Sequence, residues 1–417
     1  MYNKYDHLLI IFIGALVFGA VGGGLQVIRL ISLVILPTNI WHILSKSHSK
    51  SVIIYLLLGI FWLIYAIIAM HWTSDIEDSK IWTFYLIIHF NIVYTIIRLG
   101  CQAVHPEKSL VLGWLAFIVL GFIYAVFEIV TDHHLYTASH VMELQDSGIA
   151  INGVMNKKYA ALTFNNPNEY MTALSFGAPY LFAALLIFKQ KKQQIFLWGI
   201  VFIYFFIVMQ NASRGAILTF VVCCAIFLHY YRKISFPAKK DILTFVIVIS
   251  TIGLLVMGNM IFDQLRQRID ANTEILHDIG RMEIYRQAFL ILQNSGYMGI
   301  GPGGFKEKEG FMPHNLFLEI FGEYGWIVFS GIVCVLLSTI VRSFKLSKGH
   351  IVYRAVTMMV FCSLPIISII NSGYLSYPFL WVAIGSVFLL KEIYRKKSSL
   401  SAKFSTSKNE TDFTVSM

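Results

Sequence analysis

Charge is what this chain lacks most. Asp, Glu, Lys and Arg make up 13% of its 417 residues, against about a quarter in soluble domains. Hydrophobic residues reach 57% and mean hydropathy is +0.68. A soluble protein of this length has nowhere to bury that much apolar surface. Cysteine is sparse too: Cys101, Cys223, Cys224, Cys334 and Cys362 all fall in or beside apolar runs. That placement argues against a disulfide framework in outside loops. The chain also lacks an internal repeat and any stretch of soluble-domain composition.

What it has instead is a series of apolar runs of ~18–20 residues, each long enough to cross a bilayer core. Hydropathy places spans at 8–24, 25–44, 52–70, 81–98, 110–130, 170–188, 194–210, 215–231, 241–262, 322–341, 355–372 and 376–391. The first two are divided only by Gly22, Gly23 and Gly24, read as a turn. No small-residue cleavage site follows the first run, which therefore reads as a retained helix. The expected fold is an all-α polytopic membrane protein of about 12 transmembrane helices. Residues 1–400 form a single membrane domain, with outside loops at about 131–169 and 263–321, the second between helices 9 and 10. The polar segment 401–417 lacks apolar periodicity and reads as a disordered inside tail.

The formal charge of +10 would suggest nucleic acid in a soluble chain, but here topology accounts for it. With the N-terminus inside, two thirds of the 33 basic residues fall in inside segments. Short inside loops such as KQKKQQ and RKISFPAKK are densely basic, as the positive-inside rule requires. Both termini are then cytoplasmic, and no nucleic-acid partner is expected.

Polar groups on the outside are unevenly spread. NASRGA puts Arg214 at the outer boundary of a span, and the long loop carries Arg281, Arg286 and His314 on the same side. The apolar spacing over 281–293 predicts a short amphipathic helix. GIGPGGF (299–305) cannot continue it and forces a turn. Guanidiniums bind phosphate oxygens in bidentate fashion and stay protonated, while a histidine can take a proton from a hydroxyl. Such a set suits a lipid-linked pyrophosphate donor and a hydroxyl acceptor, without a metal or other cofactor. Each residue has a plainer reading. Arg214 could snorkel at a helix end, Arg281 and Arg286 could form a solvated helix face, and His314 could be a surface histidine. The Gly-rich turn reads better as a turn than as a phosphate cradle. His133, His134, His140 and Asp132 match no metal-ligand spacing. Arg29, His89 and Glu128 are the mid-span ionisable residues that a transport path would use.

Four segments, in order, resemble the bacterial O-antigen ligase and O-antigen polymerase superfamily. They are TFNNPNEYMTAL (163–174), NASRGA (211–216), GRMEIY with the later GYMGIGPGGF, and HNLFLEIFGEYG. The last fits a His-Asn, nine residues, Gly pattern from His314 to Gly325. Val328 departs from the Gly, Thr or Tyr usual in ligases, which favours the polymerase side. The resemblance implies a GT-C-like inner-membrane enzyme with its active site on the periplasmic face. It implies an inverting, metal-independent glycosyltransferase using an undecaprenyl-diphosphate-linked glycan. The acceptor is lipid A–core for a ligase and a second lipid-linked repeat unit for a polymerase. Arg214 and Arg281 match the arginines that hold the donor diphosphate, and His314 the histidine that activates the acceptor hydroxyl. Asn315 is placed beside them with the substrate; Arg286 has no clear counterpart. The ligase reading leads, the polymerase is the alternative, and a lipid-linked oligosaccharide flippase or exporter is the reading from another class.

Overall fold

A computed structural model describes residues 1–19, 26–131, 133, 159–164, 167–211, 213–234, 240, 244, 276–305, 313, 315–347, 350–370 and 373–413; residues 276–282 and 400–413 are described by backbone alone. Twelve α-helices follow in order among them. These are α1 (Lys4–Gly14), α2 (Val27–Ser45), α3 (Lys50–Ala69), α4 (Ile76–Gln102), α5 (Pro106–Thr131) and α6 (Pro167–Ile187). They continue as α7 (Lys191–Asn211), α8 (Arg214–Tyr231), α9 (Leu276–Asn294), α10 (Leu316–Leu346), α11 (Ile351–Ser368) and α12 (Phe379–Phe413).

Nine of these, α2 to α8 with α10 and α11, are long and apolar enough to cross a membrane. The protein is therefore an all-α polytopic membrane protein, although nine candidate spans stand among the described residues where about 12 are expected. The difference has three sources. α1 with its 3-10 extension to Val17 reaches only ~21 Å at 1.5 Å per residue, short of a ~30 Å core. The expected span 241–262 lies, but for residue 244, outside the described residues. α12 meets Lys391 and Glu392 soon after its apolar start. Its backbone stays helical through Phe413, into the segment whose composition reads as an unstructured tail; local helix hydrogen bonding continues there after apolar periodicity has stopped.

α6 is the central helix, buried from Glu169 to Leu186 and packed on α5, α8 and α11. α12 packs on α4 and α10. Hydrogen bonds define two ends of this bundle. At the basic end, Asn3 donates to the Gln102 carbonyl (3.0 Å) and Lys396 to that of Cys101 (3.1 Å). The buried Asp6 carboxylate there accepts the Ser109 hydroxyl (2.7 Å) and the His105 amide (2.9 Å). Burial alone would raise the Asp6 pKa; hydrogen bonds from Asn3, Ser109, His105 and Val104 outweigh it and hold the carboxyl below its usual range.

The mid-span ionisable residues are structural. Glu128 accepts the amides of Ala161 and Leu162, both at 2.8 Å, tying the 159–164 segment to α5. Buried Arg29 donates to the Leu375 carbonyl (2.5 Å), lies 3.2 Å from His89 Nε2 and sits over the Tyr85 ring. Trp381 stacks on His89.

Candidate functional site

The end opposite Asp6 gathers the starts of α4, α6, α8 and α10 and the ends of α3, α5, α7 and α11. Its organising feature is a break in α10. Gly325 has φ +67° and ψ −174°, a backbone region essentially restricted to glycine. The break separates an outer piece, Leu316–Tyr324, from the longer inner helix.

The Gly-rich turn after α9 fills that break. Ile300 and Gly301 donate their amides to the carbonyls of Gly322 and Glu323, each at 3.0 Å, and Trp326 donates to Tyr297 at 3.1 Å. Gly299 (φ +87°) backs directly onto the Glu323 carbonyl, where a Cβ would collide. The turn is fixed from outside as well. Tyr65 donates to the Met298 carbonyl (2.6 Å), Trp72 to Gly299 (3.0 Å) and Ser79 to Pro302 (2.9 Å). Its glycines thus serve close backbone packing, and the amides of Ile300 and Gly301 are engaged with α10.

α9 covers the turn. Ala288 is buried with Ile300, Phe305 and Leu318, and Tyr285 and Ile291 pack against them; Leu292 is buried as well. The helix expected over 281–293 is therefore present, as Leu276–Asn294. Arg286 lies on its outward face, exposed and paired with Glu283 at 2.7 and 2.5 Å. That ion pair pulls the Glu283 carboxyl down and the Arg286 guanidinium up from their ordinary pKa values. The backbone of Arg281 lies in the same helix, one turn earlier.

The outer piece of α10 starts at Asn315. Its Oδ1 accepts the amides of Phe317 (3.0 Å) and Leu318 (3.1 Å), an N-cap that satisfies two of the orphan donors of a helix start. The cap uses Oδ1 and leaves Nδ2 as its remaining donor. His314 lies outside the described residues, one peptide before this cap.

Two buried acids on the same helix were invisible to hydropathy. Glu319, 2% exposed, accepts the Gly373 amide at 2.6 Å and the Tyr374 amide at 3.4 Å. Glu323, one turn later, accepts the Tyr374 hydroxyl at 2.5 Å. The connection from α11 to α12 is thereby pinned to the first turns of α10. The same connection meets α8: Ile370 packs so tightly on Gly215 that a Cβ there would strike it. Arg214, exposed in the first turn of α8, is the residue before that contact. Just before it, Asn211 exchanges two hydrogen bonds with Ala160, at 2.9 and 2.8 Å. The helix starts that carry Arg214 and follow His314 are therefore linked through one connection at one end of the bundle. Among the described residues no group of three His, Cys, Asp or Glu could hold a metal ion. Most of the histidine set near 132–140 lies outside them.

The segment from mid-α7 to mid-α10, which carries much of this architecture, is also where the chain matches a known family. Residues 199–333 match the O-antigen ligase family. The match covers roughly a third of the chain, including Arg214, Arg281, Asn315 and the break at Gly325. A comparison with curated proteins finds no match. The match supports a glycosyltransferase-like membrane enzyme of the O-antigen ligase and polymerase type, whose family implies lipid-linked glycan substrates.

Proposed function

We propose that the protein transfers a glycan from an undecaprenyl-diphosphate carrier to lipid A–core at the periplasmic face of the bacterial inner membrane. The observation that carries this reading is the linkage of the Arg214 and Asn315 helix starts through the 369–374 connection. Arg214 and Arg281 hold the donor diphosphate, their delocalised charge matching its oxygens. His314 takes the proton of the acceptor hydroxyl as that oxygen attacks the anomeric carbon, and the lipid diphosphate leaves. Attack opposite the leaving group inverts the anomeric centre. Guanidinium charge stabilises the leaving diphosphate, so no metal is required. Asn315 fixes the direction of the first turn beside His314, and Arg286, committed to Glu283, is secondary.

A polymerase shares the donor, the face and the arginines, and differs only in accepting a second lipid-linked repeat unit; Val328 is the position that favours it. A flippase would place ionisable groups along a path through mid-membrane. Here Arg29, His89 and Glu128 hold loops and neighbouring side chains, which speaks against that use.

The test is substitution of His314, Arg281 or Arg214 by Ala, with transfer assayed in membranes. Each variant is expected to insert normally and lose transfer by about 10²-fold or more, the scale on which a general base or a charge-stabilising donor acts. Normal transfer by any variant removes that residue from the mechanism. Deleting the gene decides the acceptor: uncapped lipopolysaccharide marks a ligase, and core bearing a single repeat unit marks a polymerase.

A further inference from the structure

The outer end carries a cavity that the transfer mechanism does not use. It lies between the connection of α3 to α4, the end of α9 and the Gly-rich turn, and measures about 550 Å³. Small-molecule sites typically occupy ~300–1,000 Å³ and pair apolar walls with a few placed polar groups. Here the apolar wall is the indole of Trp72 with Ile291, Met298 and Ile300, and the polar side chains are Ser74, Asn294 and Ser295, the last already bonded to the Leu292 carbonyl and the Gly299 amide.

Among the described residues no Lys, Arg or His lines this cavity, so its chemistry does not suit a diphosphate. The Ser74 hydroxyl and the Asn294 carboxamide give it polar partners that a lipid tail would leave unused. Both features suit a neutral polyol, whose C–H face packs on an aromatic ring while its hydroxyls exchange hydrogen bonds with an amide. Trp72 is already set for this role. Its N–H is spent on the Gly299 carbonyl (3.0 Å) and its ring meets Tyr65 edge-on. What remains available is a held ring face, an arrangement that lowers the ordering cost of binding. Asn294 is exposed at the last residue of α9. The cavity floor is bonded to α10 at Gly322, seven residues from Asn315, which is about 10 Å along a helix. A sugar held there lies within a short oligosaccharide's reach of the transfer point.

We propose that this cavity is a glycan subsite that holds sugar rings of one substrate on Trp72 and Asn294, away from the reacting bond. The proposal rests on the transferase reading for its ligand class, and its test separates the two. Full-length protein carrying Trp72→Ala, Trp72→Phe or Asn294→Ala is compared with the native chain by saturation-transfer NMR. The probes are two oligosaccharides offered separately: the repeat-unit glycan released by mild acid from the cell's lipid-linked intermediates, and the core oligosaccharide released from its lipopolysaccharide. Native protein is expected to bind one of them, and which one identifies the substrate. Trp72→Ala should weaken binding about tenfold or more, the scale of a lost aromatic contact, with Trp72→Phe restoring most of it. In transfer assays the Ala variants should raise KM for that substrate and leave kcat nearly unchanged.

Unchanged binding and KM in Trp72→Ala would overturn the proposal and leave Trp72 as an interfacial anchor. If Trp72→Ala fails to insert, Asn294→Ala on the exposed end of α9 carries the same test. Glycan binding that depends on Trp72 in a native protein without transfer activity would sink the transferase reading and keep the subsite. Transfer with no effect of either substitution would sink the subsite alone.

Discussion

At the residue scale the decisive position is Gly325. Its dihedrals belong to a region that L side chains occupy at a cost of about 1–3 kcal/mol, and a Cβ would also run into the carbonyl of Tyr297. The nine-residue spacing from Asn315 therefore sets the length of the outer piece of α10 before the chain must break to admit the 297–301 backbone. Gly325→Ala is expected to destabilise the protein by more than the dihedral cost alone, because the Ile300, Gly301 and Trp326 hydrogen bonds strain together. Thermal unfolding in detergent checks this: a melting temperature within a degree or so of native would mean that the break tolerates a side chain. Gly296, also at positive φ but with open space around it, is the control. Gly296→Ala should cost only the backbone term, about 1 kcal/mol.

At the scale of elements, the connection from α11 to α12 joins the two helix starts of the site. Glu319 holds its amides, and Ile370 seats it on α8. Glu319→Ala would leave the Gly373 and Tyr374 amides buried without an acceptor, at about 1–3 kcal/mol for each orphaned group. Transfer should fall with stability, and Glu319→Gln, which keeps a carbonyl oxygen in place, should recover much of both. Equal behaviour of the Ala and Gln variants would show that the carboxylate oxygens do not hold the connection. Sequence reading stopped at these interactions for a physical reason. The apolar runs, the basic loops and the helix over 281–293 are local patterns, and each was legible. So were NASRGA and the His-Asn spacing, through resemblance. Sequence reading ran the outer piece of α10 straight on into the span that follows it, because a helix break at one glycine leaves no trace in composition. It also could not assign Glu319, Arg29 or Glu128 a task, since their partners lie 54, 346 and 33 residues away in the chain.

At the scale of the whole molecule, the basic end and the site end must face opposite sides of the bilayer. The bonds from Asn3 to Gln102 and from Lys396 to Cys101 gather the start of α1, the end of α4 and the later part of α12 at one end. Those from Trp72 to Gly299 and from Glu319 to Gly373 gather the rest at the other. The positive-inside rule predicts that the basic end faces the cytoplasm. An even number of crossings must then lie between the two termini if both are inside. Only nine candidate spans stand among the described residues, so α1, α12 and the region around 241–262 decide the parity. Single-cysteine labelling in intact spheroplasts tests the orientation at exposed positions. Glu77→Cys and Gln293→Cys should react with a membrane-impermeant maleimide added outside. Ser47→Cys and Gln190→Cys should react only after the membrane is opened. The reverse pattern would put Arg214 and Asn315 at the cytoplasmic face, where an acceptor exposed only on the periplasmic side could not reach them.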